Sequence, residues 1–149
     1  ALPNGRKAFK VFASGITPSS QATGDLSACF SAVSKLDSNC IPGGEALNLK
    51  FPALHGKSDI ERLAQAVEAY FRLGGFHVQF NIMSYDTLID ARNNPHKYPE
   101  LLVRVSGYSA YFNDLNEAMK EEIITRTEYN IQTGQAMPFP RQAVSIADV

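Results

Sequence analysis

The residues that could do chemistry in this sequence are few and scattered. The three histidines, His55, His77 and His96, include no pair four residues apart, the spacing that sets two ligands on one helix face. The two cysteines, Cys29 and Cys40, match neither a C-x-x-C redox motif nor paired zinc knuckles, so both read as reduced, packed thiols. No metal site is expected from these residues. Gly56-Lys57-Ser58 has the end of a phosphate-binding loop, but Phe51 stands where the motif needs its first glycine. Ser58 is better placed as a helix cap. His77, Gln79 and Asn81 alternate along one strand, where they either line a cavity or simply form a wet face. Arg104 interrupts an apolar run, so a carboxylate or carbonyl should meet it unless its strand lies at a surface edge. Three residues later, Gly107 ends that strand.

These residues must be positioned by an α/β arrangement. The first 45 residues are rich in glycine, serine, proline and small side chains, and read mostly as loop, with a turn over residues 15–20. A short helix over residues 27–36 would set Ala28, Ala32 and Val33 on one side. Leu47, Leu49 and Phe51 alternate with Asn48 and Lys50, the period of a half-buried strand. Ser58-Asp59-Ile60-Glu61 has the form of a capping box, and Ile60, Leu63, Ala64, Val67, Tyr70 and Phe71 follow at helical spacing up to Gly74-Gly75. Phe76, Val78, Phe80 and Ile82 then give a strand whose other face carries the three polar residues. Strand, helix and strand in this order predict a parallel βαβ unit. A capped helix follows over residues 84–93 and stops before Pro95. Leu101 to Val105 reads as a buried strand, and residues 116–127 as a third helix with Met119, Ile123 and Ile124 on one side. Residues 134–149, with Pro138 and Pro140, read as an extended tail.

The whole chain sets limits on partners. Its 149 residues carry 14 Lys+Arg against 15 Asp+Glu, a net charge of −1, and 44% are hydrophobic. That is the balance of one folded domain, and it gives no reason to expect nucleic acid or a membrane as partner. No apolar run approaches the roughly 20 residues of a membrane span, and the first residues lack a signal-peptide core, so the expected location is cytoplasmic. The start at Ala1 fits a processed product, a trimmed chain or one piece of a larger polypeptide.

Around Gly107 the residues carry a resemblance. Val103-Arg104-Val105-Ser106-Gly107-Tyr108-Ser109-Ala110-Tyr111-Phe112 resembles the radical loop of glycyl radical enzymes, whose R-V-x-G-Y signature corresponds to Arg104 through Tyr108. The resemblance continues upstream through Gly74-Gly75-Phe76-His77-Val78-Gln79-Phe80-Asn81, Thr87-Leu88-Ile89-Asp90-Ala91 and Pro95-His96-Lys97-Tyr98-Pro99-Glu100-Leu101. Downstream it includes Glu122-Ile123-Ile124-Thr125-Arg126-Thr127-Glu128, and Pro3-Asn4-Gly5-Arg6 and Asn48-Leu49-Lys50-Phe51 resemble the segment before the loop.

The resemblance implies an α/β fold: a fragment of a ten-stranded α/β barrel over residues 1–83, a small glycyl radical domain over 84–130, and an extended tail over 131–149. It implies that Gly107 stores a backbone radical, supported by Arg104, Ser106 and Tyr108, with Tyr108, Tyr111 and Phe112 walling it from water and oxygen. No cofactor would be bound. An S-adenosylmethionine-dependent activase with an iron–sulfur cluster would install the radical, and the radical would act through a cysteine that this chain lacks. The implied partners are a larger cysteine-bearing barrel portion and the activase. The residues leave three readings open: the C-terminal portion of a radical lyase or dehydratase, a spare-part subunit that replaces an oxygen-cleaved radical domain, or an inert binding module. They look nearer the dehydratase, C–N lyase, decarboxylase and succinate-adding branches than pyruvate formate-lyase.

Overall fold

In the computed structural model, residues 14–18 and 24–137 are described. Pro3 to Arg6, Ser19 and Ser20 of the expected turn, and Pro138 and Pro140 of the expected tail lie outside them. The chain is α/β, built as α1 (Leu26–Val33), β1 (Leu47–Phe51), α2 (Gly56–Arg72), β2 (Val78–Ile82), α3 (Tyr85–Asn93), β3 (Leu102–Arg104), β4 (Ser109–Tyr111) and α4 (Glu117–Thr125).

β1 and β2 pair in parallel, with Leu47 beside Val78 and Phe51 beside Ile82, as the strand–helix–strand order predicts. This register sets Asn48 beside Gln79 and Lys50 beside Asn81, so four polar residues share one face of the sheet. Leu47, Leu49 and Phe51 face the other way, into an apolar core with Leu26, Phe30, Val33, Tyr70 and Tyr129. Each such aliphatic or aromatic side chain contributes roughly 1.5–3 kcal/mol by leaving water. Tyr129 adds its own strand-like contact, donating its N–H to the Lys50 carbonyl at 2.9 Å.

The polar face is where the structure departs most from the expected pattern. The sequence pattern predicts a half-buried β1 and a polar β2 face that either lines a cavity or is wet, yet all five residues of β1 are buried and so are Gln79 and Asn81. The apolar residues of β2 are the more exposed ones, with Ile82 at 46%. The cause is a second layer laid across the polar face. α3, the β3–β4 hairpin and α4 enclose their own core of Leu88, Ala91, Val103, Val105, Phe112, Leu115, Ile123 and Ile124.

Smaller corrections have local causes. α1 buries Leu26, Cys29, Phe30 and Val33 while Ala28 and Ala32 are exposed, because the larger side chains take the core face, with Phe30 packed against the Tyr70 ring. Ser58 does not cap α2; the helix begins at Gly56, and the Asp59 carboxylate accepts the His55 N–H at 2.8 Å. Gly74 and Gly75 follow the end of α2, and a side chain at Gly75 would collide with the Tyr70 ring. Leu101 to Val105 is no buried central strand: β3 pairs antiparallel with β4, buries Val103 and leaves Leu102 exposed. α3 is capped by Ser84 as expected, and α4 by Asn116. Cys40 is exposed rather than packed, whereas Cys29 is buried and its desolvated thiol is pushed up in pKa. Residues 131–137 do not simply extend; Ile131 and Ala136 pack on the first core, and Tyr129 pairs with Ala136.

Candidate functional site

The β3–β4 hairpin turns through Ser106 and Gly107, closed by the Val105 N–H donating to the Tyr108 carbonyl at 3.0 Å. Gly107 has φ +74°, a left-handed conformation that glycine adopts without strain. A side chain there would meet nothing within 4 Å, so packing inside this chain is not what requires a glycine. Gly107 is exposed at the tip of the turn, with its Cα open to an approaching group.

Below the turn, the buried polar face of the sheet grips the hairpin. Asn81 forms a two-point clamp on Arg104, donating Nδ2–H to its carbonyl at 2.8 Å and accepting its N–H at 2.7 Å. A side-chain amide thus takes the place of a neighbouring strand. Gln79, one pleat away on the same face, accepts through Oε1 from the Gly107 N–H at 3.2 Å and from Arg104 Nε. Arg104 also donates to Ser109 Oγ at 3.3 Å, so its partners are an amide carbonyl and a hydroxyl. Of the alternatives that the sequence leaves open for Arg104, a carboxylate or carbonyl partner or a surface edge, the structure shows a carbonyl.

From the far side, Arg126 completes the grip. Its guanidinium donates to the carbonyls of Arg104 at 2.9 Å and Val105 at 2.7 Å, while Glu122 holds it through both carboxylate oxygens. Arg126 has no individual role in the sequence reading. The one signal was Glu122 standing four residues before it, the spacing of a helical ion pair. Lys50 plays a related part deeper in the layer. It donates to the last-turn carbonyl of Ile124 at 2.9 Å and lies 3.7 Å from Glu128. Burial pulls its ammonium down from the usual lysine range to about 8, with the Glu128 carboxylate opposing that shift.

Not every expected site residue joins this group. His77 contributes its backbone carbonyl to the Leu47 N–H and the Tyr70 hydroxyl, and its imidazole takes no part in the grip. Ser106 is half-buried at the first position of the turn. Tyr108 closes the turn through its backbone while its ring is 50% exposed, and Tyr111 is also exposed. Phe112 is fully buried in the second core rather than facing Gly107. No aromatic wall encloses Gly107 among the described residues of this chain. Those residues contain no group of three His, Cys, Asp or Glu side chains able to hold a metal ion, and no helix long and apolar enough to cross a membrane.

The family described as glycine radical matches residues 12–113, which include β1, β2 and the Gly107 hairpin. The chain belongs to the glycyl radical family. It is 42% identical over 134 residues to the probable dehydratase YbiW of Escherichia coli strain K12, covering 87% of this chain and 16% of that protein. It is 38% identical over 135 residues to indoleacetate decarboxylase of Tractidigestivibacter scatoligenes, with 87% and 15% covered. Among solved structures, the glycerol-bound B12-independent glycerol dehydratase of Clostridium butyricum matches with a TM-score of 0.81 and 40% identity, over 86% of this chain and 17% of that one. The chain therefore spans about one-sixth of the length of these relatives, which are enzymes of the dehydratase and decarboxylase type.

Proposed function

We propose that Gly107 is the carbon that carries the stored radical, and that this chain is the radical-bearing C-terminal portion of a lyase- or dehydratase-type glycyl radical enzyme. The observation that carries the reading is the turn itself. A glycine at φ +74° stands exposed above a buried hydrogen-bonded platform that fixes its N–H and the two residues leading into it.

A radical on a backbone carbon is stabilised when that carbon is planar, with spin shared between the donating amide nitrogen and the withdrawing carbonyl. A side chain opposes that planarity, so glycine is the residue that chemistry selects even where space would admit alanine. Loss of one hydrogen atom from Cα adds no bulk, and the open surroundings of Gly107 suit access by an activating enzyme. The resemblance assigns that step to an S-adenosylmethionine-dependent activase with an iron–sulfur cluster. The radical carbon would then take a hydrogen atom from a cysteine thiol, restoring the glycine and leaving a thiyl radical to attack substrate.

Neither cysteine of this chain is suited to that role. Cys29 is buried in the apolar core on the opposite face of the sheet, and Cys40 lies in the loop before β1. The reading therefore assigns the thiol to a larger barrel portion, for which the length of the relatives leaves room. That portion would also cover Gly107 and the exposed rings of Tyr108 and Tyr111. Residues 1–83 would form the end of the barrel, and residues 84–130 the radical domain.

The test is anaerobic activation of the chain with its larger portion, read by electron paramagnetic resonance. A doublet that Gly107→Ala abolishes, followed by air-induced cleavage at Gly107, is the expected result. A signal that survives Gly107→Ala places the radical elsewhere.

A further inference from the structure

We infer that Gln79 is a positioning residue for Gly107, its side-chain oxygen setting the orientation of the Gly107 amide; this rests on Gly107 as the radical carbon. Gln79 stands on β2, distant in sequence from the turn, and only 6% of it is exposed. Its Oε1 receives the Gly107 N–H and Arg104 Nε–H, so both lone pairs of one oxygen are taken by donors from the hairpin. Two N–H groups converging on one atom require an oxygen there, which fixes the amide orientation. The consequence is visible on the other side of the amide, where the buried Nε2 has no hydrogen-bond partner among the described residues. The side chain keeps its acceptor in place and leaves its donor unused.

That acceptor bears on the electronic requirement of the turn. A radical at Gly107 needs the nitrogen lone pair and the carbonyl coplanar with the half-filled orbital. A fixed acceptor on the N–H holds the nitrogen side of that plane, and by drawing on the N–H it makes the nitrogen the better electron donor. Arg104 acts on Gly107 through Gln79, its Nε–H holding the same oxygen that receives the Gly107 N–H. This gives the arginine of the R-V-x-G-Y signature a physical task that its position in the sequence does not reveal.

The test compares Gln79→Met with Gln79→Glu in the full chain, joined by its larger portion when radical is loaded. Methionine keeps length and bulk but offers no oxygen, whereas glutamate keeps the acceptor and removes the unused donor. Hydrogen exchange at the Gly107 amide is read against the Val105 and Phe112 amides, which donate to the Tyr108 and Leu101 carbonyls. Gln79→Met should speed Gly107 exchange about fivefold, the loss of one ordinary hydrogen bond, without changing the other two, and Gln79→Glu should restore the native rate. In the radical-loaded protein the amide-proton hyperfine coupling, compared in H2O and D2O, should shift in Gln79→Met and return in Gln79→Glu. Unchanged Gly107 exchange in Gln79→Met, or equal acceleration at all three amides, overturns the inference. If Gln79→Met does not fold, nuclear magnetic resonance of the native chain decides. A coupling through the hydrogen bond between the Gln79 side-chain carbonyl and the Gly107 nitrogen supports the role, and its absence overturns it. The exchange and coupling measurements need no radical, so failure of this contact and failure of radical storage are read separately.

Discussion

Alanine can be placed at Gly107 without a clash, because no atom lies within 4 Å of the added carbon. The cost is confined to holding a non-glycine residue at φ +74°, about 1 kcal/mol, or a fall of ~3 °C in melting temperature for a chain of this size. Calorimetry should therefore find Gly107→Ala folded and only slightly weakened while radical storage is lost. A collapse of the fold would mean that the glycine is structural. Arg126 behaves in the opposite way. It is 4% exposed and joins the carbonyls of Arg104 and Val105 to Glu122, so truncation strands a largely buried carboxylate and the Val105 carbonyl and leaves the Arg104 carbonyl only its bond from Asn81. Arg126→Ala should cost about 3 kcal/mol in denaturant titration, far more than an exposed ion pair such as Arg72–Glu68. If the two losses proved equal, the clamp on the hairpin would be dispensable.

At the scale of elements, the layer that carries Gly107 is joined to the sheet by buried polar groups, and one of them titrates within reach. Lys50 has its folded pKa pulled down to about 8, from 10.5, by burial between β1 and the end of α4, with Glu128 opposing and Arg126 adding to the shift. The unfolded chain therefore holds more protons above pH 8, and this group makes the protein more stable as pH rises through that range. Between pH 8 and 9 the gain should be on the order of 1 kcal/mol and should vanish in Lys50→Met. Higher pH reverses the trend, because burial raises the Cys29 and Tyr129 pKa values and their unfolded forms ionise first. A flat profile in the native chain, identical to that of Lys50→Met, would mean that water reaches the ammonium.

The same polar face explains what the sequence made legible. Alternation located β1 and β2 and the strand–helix–strand order gave their parallel pairing, since both follow from local periodicity. Burial of Asn48, Lys50, Gln79 and Asn81 was not legible, because it depends on a second layer arriving from residues beyond 83. The buried face of α1 was not legible because packing on Tyr70 and β1, distant in sequence, selects Leu26, Cys29, Phe30 and Val33, and the three residues of β4 give no period to count. Gly107 was found through its neighbours in the motif, whereas Arg126 acts through geometry that its spacing to Glu122 only hints at.

For the whole molecule, the apolar face of α2 is the feature that the chain's own packing leaves open. Helical spacing marked Ile60, Leu63, Ala64, Val67 and Phe71 as core, yet Ile60 is 60% and Phe71 48% exposed. With Phe80 these residues line an open apolar groove of about 760 Å³, while Tyr70 alone among the expected core positions of α2 is fully buried. An exposed apolar surface of this kind marks an interaction site, and on the proposed reading the larger portion would cover it. The chain on its own should then self-associate as concentration rises, seen as a growing weight-average mass in sedimentation velocity. Ile60→Ser combined with Phe71→Ser should suppress that association and weaken docking to the larger portion. Because both side chains are already half in water, the double change should alter the stability of the isolated chain by no more than about 1 kcal/mol. A native chain that sediments as a clean monomer across the same range would show that this face needs no cover, and would count against the larger portion as its partner.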